Sequence, residues 1–106
     1  MKIYLISDNI DTLVGLKIAG IDGEIAHTKE EINKCLDNIK ENKEIGIIVV
    51  TEKVATMVPE RITSLKLSKY LPLLVEIPDR HGSIKGEDWI LRYIKEAIGL
   101  KIWGDF

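Results

Sequence analysis

Cysteine occurs once in this chain, at Cys35, and histidine only twice. A lone thiol excludes an internal disulfide, and so few histidines supply no zinc-ligand set. Charge of one sign is also missing. Lys and Arg number 15 against 17 Asp and Glu, a formal net charge of -2. A general nucleic-acid binder needs a basic face, which this balance argues against. The longest apolar stretch near the start, Met1 to Ile6, ends in Ser7-Asp8 and is too short for a signal peptide or a membrane span. The chain also lacks internal repeats, low-complexity tracts and Pro/Gly/Ser linkers. Its 106 residues suffice for one domain with one core, and the expectation is a soluble intracellular protein.

What is present is organised around Glu44 to Thr51. Ile45, Ile47, Ile48, Val49 and Val50 form a nearly unbroken β-branched run without polar alternation. Such residues favour a pleated surface, and a strand with no polar face belongs inside a parallel sheet covered on both sides. Lys2 to Ser7 reads as a first strand of the same kind. Asp8 or Asn9 can cap the helix that follows to about Ala19, which Gly20 stops. Gly23 to His27 is a weaker edge strand. Thr28-Lys29-Glu30-Glu31 is a capping box opening a helix to about Glu41, with Ile32, Cys35, Leu36 and Ile39 as its buried stripe. Glu52 to Leu67 is helical with a kink or restart at Pro59. Leu71 to Ile77 is a fourth strand that Pro72 can only open. A polar loop, Pro78 to Gly86, precedes a last helix from about Glu87 to Ile98, ended by Gly99. The order predicts an α/β fold: one Rossmann-like, receiver-like domain over residues 1–99. It holds a four-stranded parallel sheet in order 2-1-3-4, flanked by helices on both faces, with an apolar tail over 100–106. The inner core is expected from Ile3, Leu5, Ile47, Val49, Leu73 and Val75 with Leu36 and Ile94.

In such a sheet a ligand crevice opens at the carboxyl ends of strands 1 and 3. Ser7, Asp8, Asp11, Thr51, Glu52 and Lys53 fall there. No glycine-rich turn cradles a phosphate, and the site is acidic, which disfavours a dinucleotide. A phospho-accepting receiver needs an aspartate where this chain has Thr51, and a fifth strand ending in lysine. Helix capping accounts for Asp8 and Asp11 better than magnesium binding does. His27 and His81 have no carboxylate and nucleophile nearby in sequence, and Cys35 falls on a buried stripe. No catalytic, cofactor-binding or metal-ligating residues are therefore expected. Trp89 and Tyr93 beside the inward stripe of the last helix, and Ile102, Trp103 and Phe106 in the tail, suit a partner interface with Arg80 and His81 of the preceding loop.

Four segments carry a resemblance: Asp8 to Gly20, Ile47 to Ala55, Leu71 to Pro78 and Ile90 to Gly99. In that order and spacing the chain resembles the F subunit of the V/A-type rotary ATPases, over nearly its whole length. The resemblance implies a non-catalytic component of the central stalk, a receiver-type fold without its phosphorylation residues, which binds the coiled-coil D subunit near the catalytic A/B hexamer. It also implies a part in coupling or regulating ATP hydrolysis or synthesis with ion transport, at the cytoplasmic periphery of a membrane-bound complex. Pro59 and the aromatic tail depart from the family's usual pattern, so the third helix and the far terminus carry over least. Two alternatives stay open: a degenerate receiver-like signalling module, and a small-ligand or metal-binding α/β protein using Asp8, Asp11 and Glu52.

Overall fold

A computed structural model describes residues 2–78 and 88–103, of which 88–91 and 100–103 enter through their backbone alone. The elements are β1 (Lys2–Ser7), α1 (Ile10–Ile18), β2 (Asp22–Ile25), α2 (Lys29–Glu41), β3 (Ile45–Thr51), α3 (Glu52–Met57), α4 (Pro59–Leu67), β4 (Leu73–Ile77) and α5 (Asp88–Trp103). The strands make one parallel sheet in the order β2-β1-β3-β4. This is the topology the alternating pattern predicts.

Every residue of β3 is buried, as a central strand without a polar face requires. The in-register row Leu5–Val49–Val75 faces one side of the sheet. There it meets Leu16 of α1 and Ile94 of α5 in one cluster. The alternate residues Ile6, Ile48, Val50 and Leu74 face the other side and meet Ile32, Leu36 and Ile39 of α2 with Val54 and Ile62 of α3 and α4. The predicted core placed Leu36 with the first set. It belongs to the opposite face, because α2 covers that side. Ile3 and Leu73 are only partly buried, since they stand near the strand beginnings.

Local signals set the boundaries. Asn9, not Asp8, caps α1: its Oδ1 accepts the Thr12 N–H at 2.8 Å. Gly20 takes φ 91° just past the end of α1, a conformation that costs glycine no Cβ clash. A Cβ on Gly23 would stand 2.6 Å from the Leu5 carbonyl oxygen, so β2 can lie against β1 only with glycine there. The Thr28–Glu31 capping box is complete in both directions. At Pro59 the helix restarts, with proline in the first turn of α4 where its missing N–H costs nothing.

The last helix differs from the sequence reading. It does not stop at Gly99 but runs to Trp103, so Leu100 to Trp103 form its final turn. Glycine inside a helix costs about 1 kcal/mol relative to alanine. The Ile94, Ala97 and Ile98 contacts with the sheet outweigh that one residue's preference.

Candidate functional site

The carboxyl ends of β1 and β3 lie side by side, as the strand order requires, and bring Ser7, Asp8 and Thr51 together. Ser7 and Thr51 are buried polar residues, and each is satisfied locally. Ser7 Oγ donates to the Asn9 carbonyl at 2.7 Å and accepts the Asn9 N–H at 3.0 Å. Thr51 Oγ1 donates to Asp8 Oδ1 at 2.7 Å and accepts the Asp8 N–H at 3.3 Å. The Asn9 side chain donates to the same Asp8 oxygen at 3.3 Å.

The polar side chains of Ser7, Asp8, Asn9 and Thr51 at this end are thus bonded to one another and to the local backbone. Thr51 occupies the place of a phosphoacceptor carboxylate, and its hydroxyl ties down the one acid of β1's end. Asp11 stands in the first turn of α1, where a negative charge complements the helix dipole. Among the described residues, no group of three or more His, Cys, Asp or Glu is placed to hold a metal ion.

A second polar cluster lies between the β2 edge and α2. Tyr4 Oη donates to Glu24 Oε2 at 2.6 Å. Burial, then the Glu24 hydrogen bond and charge, push the Tyr4 phenol up. Burial, followed by Glu24, likewise pushes the Cys35 thiol up to about 12. A thiol held neutral is a poor nucleophile and a poor metal ligand. Cys35 is a buried core residue, as the sequence reading has it. The Tyr4–Glu24 bond ties β1 to the edge strand β2.

The sequence-proposed interface residues fall on and around α5. Tyr93 is 37 % exposed on that helix. Trp89, Ile102 and Trp103 lie on its backbone, while Arg80, His81 and Phe106 lie outside the described residues. Sequence reasoning missed a different feature. Ile10, Val14 and Ile18 of α1 stand in solvent at 66, 50 and 76 % exposure. The signal was available: Leu13 and Leu16 already supply the inward side, so apolar residues at 10, 14 and 18 are surplus to the core.

The class is therefore a receiver-like α/β domain whose switch-point side chains bond to one another and whose exposed apolar residues lie on α1, on α5 and around 67–71. The chain belongs to the family of the ATP synthase (F/14-kDa) subunit, which matches residues 3–94. It is similar to the F subunit of the A-type ATP synthase of Pyrococcus furiosus, 36 % identical over 107 residues, covering 96 % of this chain and 98 % of the relative. It is 37 % identical to the protein of the same name in Methanosphaera stadtmanae over 94 residues, covering 87 % and 88 % of the two chains. It is 28 % identical to that of Methanocaldococcus jannaschii over 103 residues, covering 96 % and 99 %. The resemblance carried by the four sequence segments is thus shown. The chain is a component of an ATP synthase complex, and among the described residues no helix is long and apolar enough to cross a membrane.

Proposed function

We propose that this chain is the non-catalytic F subunit of the central-stalk rotor, bound to the coiled-coil D subunit and coupling or regulating nucleotide turnover with ion transport. The observation that carries the reading is the match of nearly the whole chain to F subunits of A-type ATP synthases. Two features support the non-catalytic role. The sequence holds no Gly-x-x-x-x-Gly-Lys-Ser/Thr loop to cradle a nucleotide phosphate. Asp8, the acid at the end of β1, is engaged by Thr51. A rigid α/β body suits a component that must keep hold of a rotating shaft, because little conformational entropy is lost when it docks. The partner surface includes α5 and its flanks, with Tyr93, Trp89, Ile102 and Trp103 on the helix, Arg80 and His81 before it and Phe106 after it. The test is co-expression with the coiled-coil D subunit, then gel filtration. Stoichiometric co-elution is expected, and separate elution at micromolar concentration overturns the reading.

A further inference from the structure

Helices α2 and α4 cover the same face of the sheet, and a cleft of about 380 Å³ opens between them. Its floor is apolar: Leu36 of α2, Ile48 of β3, Leu65 of α4 and Pro72 before β4. Arg61 bounds one end, donating to the Asn33 carbonyl and Oδ1 and pairing with Asp37. At the other end Tyr70 and Leu71 form a lip that stands mostly in solvent, at 83 and 59 % exposure. The lip is held by Ser68, whose Oγ accepts the Tyr70 N–H at 3.1 Å. The charges around the cleft are of one sign. Lys40 and Arg61 line it, and among the described residues no Asp or Glu does. Asp37 matches Arg61, whereas Lys40 forms no ion pair among the described residues.

We propose that this cleft takes an apolar side chain of an acidic protein segment, whose carboxylates face Lys40. The surface lies across the sheet from α1 and α5, so the proposal does not rest on the rotor reading. An apolar floor with a charged rim is how a docking pocket is built: the anchor side chain leaves water, and the rim selects the sign of its neighbours. A small ligand confined to the cleft would leave the Tyr70 and Leu71 lip in water. A chain that crosses the rim to reach the floor covers both. Because Ser68 already fixes the lip, ordering it on docking costs little. A second copy of this chain is disfavoured, since any symmetric pairing of the cleft with itself sets two cationic, acid-free linings against each other.

The experiment is NMR mapping of backbone amides in the full-length protein during titration with the acetylated, amidated peptide Glu-Glu-Leu-Phe-Glu-Glu. The peptide Lys-Lys-Leu-Phe-Lys-Lys and octanoate serve as comparisons. The acidic peptide should shift the amides of Leu36, Lys40, Leu65 and Leu71 saturably, with a Kd of about 1 mM or tighter, and the basic peptide should not. Lys40 is exposed, so Lys40→Glu should keep the fold; it should weaken binding about fivefold or more at low salt, and Lys40→Gln by less. Tyr70→Ala should weaken binding as well. An acidic peptide that gives no saturable shift, equal binding of the two peptides, or Lys40→Glu binding that matches wild type overturns the proposal. Octanoate that shifts the same amides as tightly as the acidic peptide gives the cleft to a free amphiphile and overturns the protein occupant. Wild-type protein that self-associates in sedimentation while Tyr70→Ala stays monomeric gives it to a second copy, which overturns the proposal too.

Discussion

Replacing Thr51 with valine removes one hydroxyl from the crevice and keeps a branched side chain of similar volume. The hydroxyl donates to Asp8 Oδ1 at 2.7 Å and accepts the Asp8 N–H at 3.3 Å. A hydrogen bond to a charged group contributes about 1.5–3 kcal/mol net, and a neutral one about 1 kcal/mol. Asp8 is half-buried and can turn its carboxylate to water, so the low end applies. The expected loss is about 2 kcal/mol. In a domain near this size each kcal/mol moves Tm by about 4–8 °C, which puts Thr51→Val about 8–16 °C below wild type. The measurement is thermal melting followed by circular dichroism, with and without magnesium and a phosphoryl mimic. Wild-type Tm should not respond to either addition, because only a ligand preferring the folded state shifts it. A Thr51→Val melt within about 2 °C of wild type would refute the account of the crevice as a structural lock. A saturable rise in wild-type Tm with magnesium would instead make Asp8 and its neighbours a metal site.

Three further outcomes follow from the packing and the polar clusters. Val49→Asp places a carboxylate in the middle of the Leu5–Val49–Val75 row, where desolvating an unpaired polar group costs several kcal/mol; the cooperative melt should disappear, and its survival near wild type would contradict the position of β3. Glu31 accepts the N–H groups of His27 and Thr28, which holds its carboxyl below the usual range. A depressed carboxyl stabilises the fold above its unfolded pKa and loses that contribution as pH falls through the folded one. The stability gap between wild type and Glu31→Ala should therefore be widest near neutral pH and close in acid; a gap that widens on acidification reverses the sign and sinks the capping account. Cys35, buried and with its thiol pushed up to about 12, should react with a disulfide reagent at pH 8 only as fast as the domain opens. Labelling at the rate of a free thiol would show that α2 does not cover it.

How much of this was legible in the sequence depends on what each segment asks of its residues. The strand order was readable because β3 has no polar face and β2 is short and weakly apolar, which leaves few places for either. The capping box was readable because both reciprocal bonds lie within four residues. Gly99 misled because glycine's cost in a helix is small and local, whereas the contacts of Ile94, Ala97 and Ile98 that extend α5 come from a strand far away in sequence. The side of the sheet that Leu36 occupies could not be read from its own stripe, since a helix period fixes which face is buried and not against which layer. The acids of the crevice were visible as residue types, but the bond from Thr51 to Asp8 joins positions 43 apart in sequence and exists only once β1 and β3 pair.

The same contrast explains why a chain with this fold can serve as a binding body. In a receiver-like sheet the switch point is where chemistry is normally exposed, because strand ends and helix beginnings leave polar groups unpaired there. Here Ser7, Asn9 and Thr51 take up those groups within the fold. What then stands in solvent among the described residues is apolar: Ile10, Val14 and Ile18 along α1, Tyr93 on α5, and Leu67, Tyr70 and Leu71 at and past the end of α4. Exposed apolar surface on a regular helix suits a protein partner better than a small ligand, which needs a concave site with a few converging polar groups. A domain whose polar strand ends are bonded within the fold and whose helices carry exposed apolar residues suits the proposed role in a larger assembly.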